Sequence, residues 1–331
     1  MGELSFLDAL QFNLALLSVP VYIWFLLTIW KYRKVKPFNS SFFAISISVG
    51  FIDILAISTD WIFGKFGKFD WLGIGQLSRS NPHFFGKLLC MCATYFAYAQ
   101  HTAVATIAFN RYTSVAMPAR YSSLWSPKFT MHMAAALWWA PALLVSPMTL
   151  WTFDMQIDNV TGRVGSPYWH CASCQVVYTL GLFVYNWIIN ITSITLYIFA
   201  FAKTRKVAAQ KIGTSSAKPK RLDLRLSLVG FILSLVLLTY GLTVLGIVML
   251  EIGKQNLIWY NVFIVFWAWI KDFLSWCNPY LCMAMSPSVR HHMIKLIHTP
   301  PDELVAQADK LCRKSTAIAA FSGRRMTTSQ F

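Results

Sequence analysis

The polar side chains able to do chemistry in this chain are few and stand apart in apolar surroundings. They are Asp53, Asp60, His101, Asn110 with Arg111, Asn186, Lys271 with Asp272, and Asn278. An enzyme needs a nucleophile within reach of a base, or a His/Asp/Glu set at ligand spacing. Neither pattern occurs in the sequence, so no enzyme activity, catalytic residue, metal or cofactor is expected. Cys171-Ala-Ser-Cys174 has the spacing of half a zinc site, but no second ligand pair stands near it in sequence. The chemistry open to these groups is mutual recognition. An ionisable group in hydrocarbon is costly, so it turns to the interior of a helix bundle and meets a partner there. Lys271 and Asp272 are adjacent, which turns their side chains about 100° apart on a helix and prevents a neat pair between them.

The elements that position these groups must be membrane helices. Of 331 residues 56% are hydrophobic and 13% charged, about half the charge of an ordinary soluble protein, and the mean hydropathy is +0.50. A span needs about 20 mostly apolar residues. Seven stretches qualify: Leu10–Trp30, Phe42–Phe63, Leu88–Asn110, Met131–Trp151, Val176–Ala202, Leu226–Leu250 and Leu257–Met283. The expected fold is an all-α membrane protein, a seven-transmembrane-helix bundle. Residues 1–9 form a short outer N-terminus, 10–283 the bundle, 284–300 an amphipathic helix on the membrane surface and 301–331 a tail. In the amphipathic segment Val289, Met293, Ile294 and Ile297 oppose Arg290, Lys295 and His298.

The net charge of +16 has a place as well as a size. Of the 29 Lys and Arg residues, 22 fall in the first, third and fifth connections and the tail, six in the opposite connections, and Lys271 lies within the last span. Basic short loops stay in the cytoplasm. The N-terminus is therefore expected outside and the C-terminus inside, and nucleic-acid binding is not expected. Residues 1–10 hold Glu3 and Asp8 and no basic residue, unlike a cleaved signal peptide. On the outer side Asn159-Val-Thr161 is a glycosylation acceptor. Cys90 and Cys92 open the third span and Cys171 and Cys174 close the second outer loop. Both pairs face the oxidising side, so one bridge between loop and span is expected, with Cys90–Cys171 preferred and the choice of partners open.

Two blocks are more specific. The third span ends in Phe109-Asn110-Arg111-Tyr112, followed by Pro118, Tyr121 and Trp125-Ser-Pro127, and the last ends in Asn278-Pro279-Tyr280. With seven spans and an outer N-terminus they resemble a G-protein-coupled receptor. The run from Asn110 to Ser126 resembles the nematode serpentine chemoreceptors, class gamma or class V. That resemblance implies a chemosensory receptor in the plasma membrane, of sensory neurons or their cilia, which binds an external small molecule and activates a heterotrimeric G protein. It makes Arg111 the switch arginine at the cytoplasmic mouth. Where rhodopsin-like receptors have an acid before that arginine, Asn110 offers only a hydrogen bond. Asp223, the one acid of the fifth connection, is expected to pair with Arg111 at rest. Asp53 resembles the mid-helix aspartate of the second span and is expected to join Asn278 in a polar network. Gln100 replaces the serine of a sodium site, so hydrogen bonds are expected there instead of sodium. The sixth span lacks the usual proline and tryptophan, and Gly230, Gly241 and Gly246 are its candidate points of flexibility.

An outward cavity among spans three, five, six and seven is the default ligand site. Thr94, Ala97, Tyr98 and His101 follow at helical spacing on the third span. Tyr185 and Asn186, Tyr240, and Trp267 with Lys271 and Asp272 complete an aromatic pocket with a few polar handles. Ala93 stands where amine receptors place an aspartate, so an amine held in that way is not expected, and Lys271 is expected to attract an acidic ligand. Two alternatives remain. A retinal-type photoreceptor would use Lys271, which lies seven residues before Asn278 where opsins have six. A small-solute transporter would show paired interrupted helices or repeated halves, and neither is visible.

Overall fold

In a computed structural model the described residues are 6–35, 37–65, 73–157, 164–210, 221–252 and 257–297. Asn159 and the tail 301–331 lie outside them. The helices are α1 (Phe6–Tyr32), α2 (Ser41–Thr59), α3 (Ile74–Ser80), α4 (Pro82–Ala116), α5 (Pro118–Leu124), α6 (Pro127–Val145), α7 (Ala172–Gln210), α8 (Arg221–Ile252), α9 (Leu257–Met285) and α10 (Pro287–Ile297). A π-helical turn, Asp60–Lys65, extends α2, and a 3-10 turn, Ser146–Leu150, extends α6.

Among the described residues seven helices have nineteen or more residues, and the seven apolar stretches coincide with them. Five are long and apolar enough to cross a membrane: Phe6–Tyr32, Ser41–Ile62, Pro127–Leu150, Ser173–Thr204 and Ser227–Leu250. The other two, α4 and α9, carry most of the polar groups, including Gln100, His101, Asn110, Arg111, Lys271, Asp272 and Asn278. Their polarity is tolerable because neighbours cover it. All seven of those residues are at least half-buried, and α4 packs against α2, α6, α7 and α8.

Local chemistry sets the helix ends. Pro82, Pro118 and Pro127 open α4, α5 and α6 at their first position, where the missing N–H has no partner to lose. Met117, just before Pro118, leaves the helical region at φ −131° and ψ 54°, as the proline ring demands of its predecessor. The Ser126 hydroxyl caps α6 by accepting the Phe129 N–H at 3.4 Å.

The connection between α6 and α7 holds an antiparallel hairpin, β1 (Phe153–Ile157) with β2 (Val164–Trp169), in the register Phe153↔Trp169 and Ile157↔Val164. This pairing is a departure from the all-helical expectation. Phe153 and Met155 are buried, and Phe153 joins Tyr98, Val145 and Met148 in one apolar cluster. From Ser288 the chain forms a second compact unit. Its described part is α10, in which Val289 and Met293 are buried and Ile294 and Ile297 exposed.

Candidate functional site

Three groups of residues along α4 define the site. Midway, Gln100 donates one amide hydrogen to Asp53 Oδ1 at 2.8 Å and the other to Ser275 Oγ at 2.8 Å. The Tyr22 hydroxyl donates to the other Asp53 oxygen and accepts from Asn278 Nδ2 at 3.2 Å. Asp53, Gln100, Ser275, Asn278 and Tyr22 are all buried. The carboxylate thus has a donor on each oxygen, which is what makes a buried polar network favourable. A small cavity of about 20 Å³ lies beside it, lined by Asp53, Gln100, Leu233 and Asn278 among others. That is room for about one water. Tyr280 lies just beyond the network, its hydroxyl 3.3 Å from that of Ser18.

At the Arg111 end, Asn110 is a hub. Its amide donates to Ser41 Oγ at 2.8 Å and to the Tyr121 hydroxyl at 3.2 Å, while its oxygen accepts from Arg111 at 2.9 Å. Ser41 and Tyr121 close the ring at 2.6 Å. The Arg111 guanidinium is buried and lies 4.1 Å from the centre of the Phe42 ring, a cation–π contact. One turn on, Trp125 Nε1 donates to Thr113 Oγ1 at 2.7 Å, docking the end of α5 on α4. Tyr112, next in the chain, is half-buried. Asp223 belongs to the first turn of α8, and its side chain lies outside the described residues.

At the other end the expected aromatic residues come together, but against one another. Tyr98 packs on Tyr185 at 4.9 Å between ring centres, and the Tyr185 hydroxyl meets that of Thr102 at 2.7 Å. His101 stacks edge-on to Tyr240 at 5.2 Å, and Tyr240 reaches Trp267 at 6.3 Å. Trp169 of the hairpin continues the stack through Tyr178. The Asn186 amide nitrogen has no hydrogen-bond partner, while its oxygen accepts from Asn190 at 2.8 Å. A Cβ at Gly241 would sit 2.7 Å from that nitrogen, so this glycine serves close packing of α7 on α8 as well as any flexibility.

The open space lies elsewhere. A cavity of about 30 Å³ between α2, α4 and α9 is lined by Thr59, Asp60, Ala93, Ala97, Lys271 and Asp272 among others. Of the expected pocket residues, Ala97, Lys271 and Asp272 border it, whereas Thr94 bonds back to the Cys90 carbonyl at 2.8 Å. Lys271 is committed to Asp60, to which it donates. Asp272 is buried with one oxygen, Oδ2, lacking a hydrogen-bond partner. The expectation that Lys271 draws an acidic ligand is corrected accordingly: its charge is already met, and two carboxylates share the cavity with one ammonium.

The cysteine pairing is corrected too. Cys171 is bonded to Cys174, and Cys90 and Cys92 are free thiols. A three-residue separation at the start of α7 lets the two sulfurs meet within one turn, and Cys90 stays in the apolar cluster around Tyr98. Tyr22, Ser275 and Ser41 are partners that the sequence alone did not single out. Tyr22 is a lone hydroxyl in the middle of an apolar span, and Ser275 lies one turn from both Lys271 and Asn278, which are the signals that mark them.

Helices long and apolar enough to cross a membrane, packed around a polar helix that carries the Asn110–Arg111 hub and joins the buried Asp53 network, mark a membrane protein. The chain belongs to the serpentine-type seven-transmembrane G-protein-coupled chemoreceptor family Srv, whose pattern matches residues 11–299. It is similar to "Serpentine receptor class V-1" of Caenorhabditis elegans, 24% identical over 229 residues, which are 69% of this chain and 71% of the relative. Class V thereby replaces the choice between gamma and V, and the family is one of receptors, not of enzymes.

Proposed function

We propose that this protein is a chemosensory G-protein-coupled receptor of the plasma membrane, of sensory neurons or their cilia, with seven spans, an outer N-terminus and a cytoplasmic C-terminus. The observation that carries the reading is the Asn110–Arg111 hub. It is a buried cation at the basic end of the central helix, whose guanidinium donates to the uncharged oxygen of Asn110 within a ring of two hydroxyls. Such a restraint is weak enough for a bound ligand to overcome by a modest difference in affinity for two bundle states. The excess of Lys and Arg in the connections at that end supports both the orientation and a contact with a heterotrimeric G protein. Asp223 is the resting partner of Arg111 in this reading.

In this reading the ligand binds at the cavity bordered by Ala97, Lys271 and Asp272, which at about 30 Å³ holds only water-sized occupants and widens to admit it. Its recognition follows from the unmatched oxygen of Asp272: a ligand that presents a hydrogen-bond donor satisfies a group whose burial is otherwise costly. The packed residues Tyr98, His101, Tyr185, Tyr240 and Trp267, together with Asn186, transmit its presence to α7 and α8 in this reading. The deciding experiment is ligand-dependent G-protein activation in cells, using a panel of volatile and water-soluble compounds. Arg111→Ala at unchanged surface expression abolishes the response. A full response from that variant overturns the reading, and unchanged basal signalling in Asp223→Asn overturns the Asp223 pairing.

A further inference from the structure

His83 opens the first turn of α4, Asp154 lies on β1, and His170 follows β2. The three are 71 and 16 positions apart, yet they meet. His83 Nδ1 lies against Asp154 Oδ1, and His170 Nε2 is 2.5 Å from Asp154 Oδ2. One ligand atom from each residue lies within 4.8 Å of the other two. The histidine side chains are 75% and 44% exposed and the aspartate side chain 13%. An ion would therefore reach the site from solvent and find a carboxylate fixed at its floor.

We infer that His83, Asp154 and His170 bind a borderline divalent cation of the zinc class and so clamp the outer hairpin to the start of α4. Two imidazoles and one carboxylate are ligands that suit zinc and copper and not calcium or magnesium, which take oxygen. Ligand atoms about 2 Å from a tetrahedral zinc stand about 3.3 Å apart. Small rotations of the exposed histidines open the present contacts to that spacing and leave the fourth position to water. Each imidazole presents an unprotonated nitrogen to the ion and carries its N–H on the other ring nitrogen. The backbone is already in place. A Cβ on Gly86, one turn beyond His83, would stand 2.7 Å from the Asp154 carbonyl carbon. The glycine is thus what lets the hairpin lie directly on α4, and the Cys171–Cys174 bridge follows His170 at once.

The test uses the full-length protein, purified through a histidine-free tag in detergent and dialysed against zinc chloride. Metal analysis is expected to give saturable binding of one ion per chain at this site. Loss of even an outer-shell partner weakens metal sites about 10- to 100-fold, so His83→Gln, His170→Gln and Asp154→Asn each weaken binding by at least about tenfold. Zinc raises the unfolding midpoint of the parent protein and leaves that of each variant unmoved, while the midpoints without zinc show that each variant folds. His291 and His292, adjacent on α10, are the control: the double change to Gln leaves the site's binding intact. Absence of saturable binding, or binding unaffected by all three site variants, overturns the inference. Binding lost only with His291 and His292 overturns it equally.

Discussion

Lys271 on α9 donates to Asp60 at the end of α2, although Asp272 is its neighbour in the chain. The helix turns the adjacent carboxylate away, and the π-helical turn beginning at Asp60 brings the distant one in. The pair is about four-fifths buried on both sides, so each charge depends on the other. Removing one partner leaves the second charge in a poor solvent. Asp60→Asn is expected to lower stability in detergent by about 2 kcal/mol, read as a fall in the unfolding midpoint. The double variant Asp60→Asn with Lys271→Met recovers part of that loss. No recovery would mean that the pair is not what the midpoint reports.

The Asp53 network predicts indifference to sodium. The Gln100 amide occupies Asp53 Oδ1 at 2.8 Å and the Tyr22 hydroxyl takes Oδ2, so each carboxylate oxygen already holds a hydrogen bond that a cation would have to compete with. Replacing sodium by choline is expected to leave the unfolding midpoint and the basal signal unchanged. Gln100→Leu removes the donor to Oδ1 and orphans that oxygen, at a cost of about 1–3 kcal/mol. A sodium-dependent midpoint in the parent protein would contradict the hydrogen-bonded arrangement.

The long apolar helices are legible in the sequence because an apolar run of about 20 residues matches the thickness of a bilayer's hydrocarbon. Asp53, Gln100 and Asn278 are legible as a polar group for a similar reason, since each is costly alone. Their connecting partners are not: Tyr22 lies 31 positions from Asp53 and Ser275 lies 175 from Gln100, and no periodicity links such residues. The hairpin leaves a trace in the alternation of Phe153, Met155 and Ile157 with Asp154 and Gln156, but Gly165 and Pro167 in the second strand read as loop. Aromatic residues at helical spacing look the same in sequence whether they line a space or fill it. Here Tyr98, Tyr185, Tyr240 and Trp267 fill it.

The cysteines give a chemical prediction. With Cys171 bonded to Cys174 and Cys90 and Cys92 free, peptide mapping without reduction is expected to show the 171–174 bridge and alkylated Cys90 after unfolding. Cys90→Ser leaves surface expression near that of the parent, because a small half-buried group is exchanged for another of similar size. A crosslinked peptide joining the start of α4 to the connection between α6 and α7 would restore the long-range bridge.

The Arg111 hub makes the most direct prediction about signalling. Asn110 holds Arg111 through a neutral oxygen at 2.9 Å while donating to Ser41 and Tyr121. Asn110→Asp keeps the shape and puts a full charge on the acceptor of a bond whose donor is already charged, which makes the contact an ion pair. The two hydroxyls can reverse and donate to the new carboxylate, giving up the hydrogen bond between them. The resting state gains about 1 kcal/mol, and basal G-protein activation falls about fivefold. Asn110→Leu acts in the opposite sense, since it removes the acceptor and both donors, and basal activation rises at equal surface expression. Tyr121→Phe removes one hydroxyl and falls between Leu and the parent. Measured together by nucleotide exchange, the order Asp below parent below Phe below Leu supports restraint through Asn110. Higher basal activity in Asn110→Asp than in the parent would show that Arg111 is held by something else.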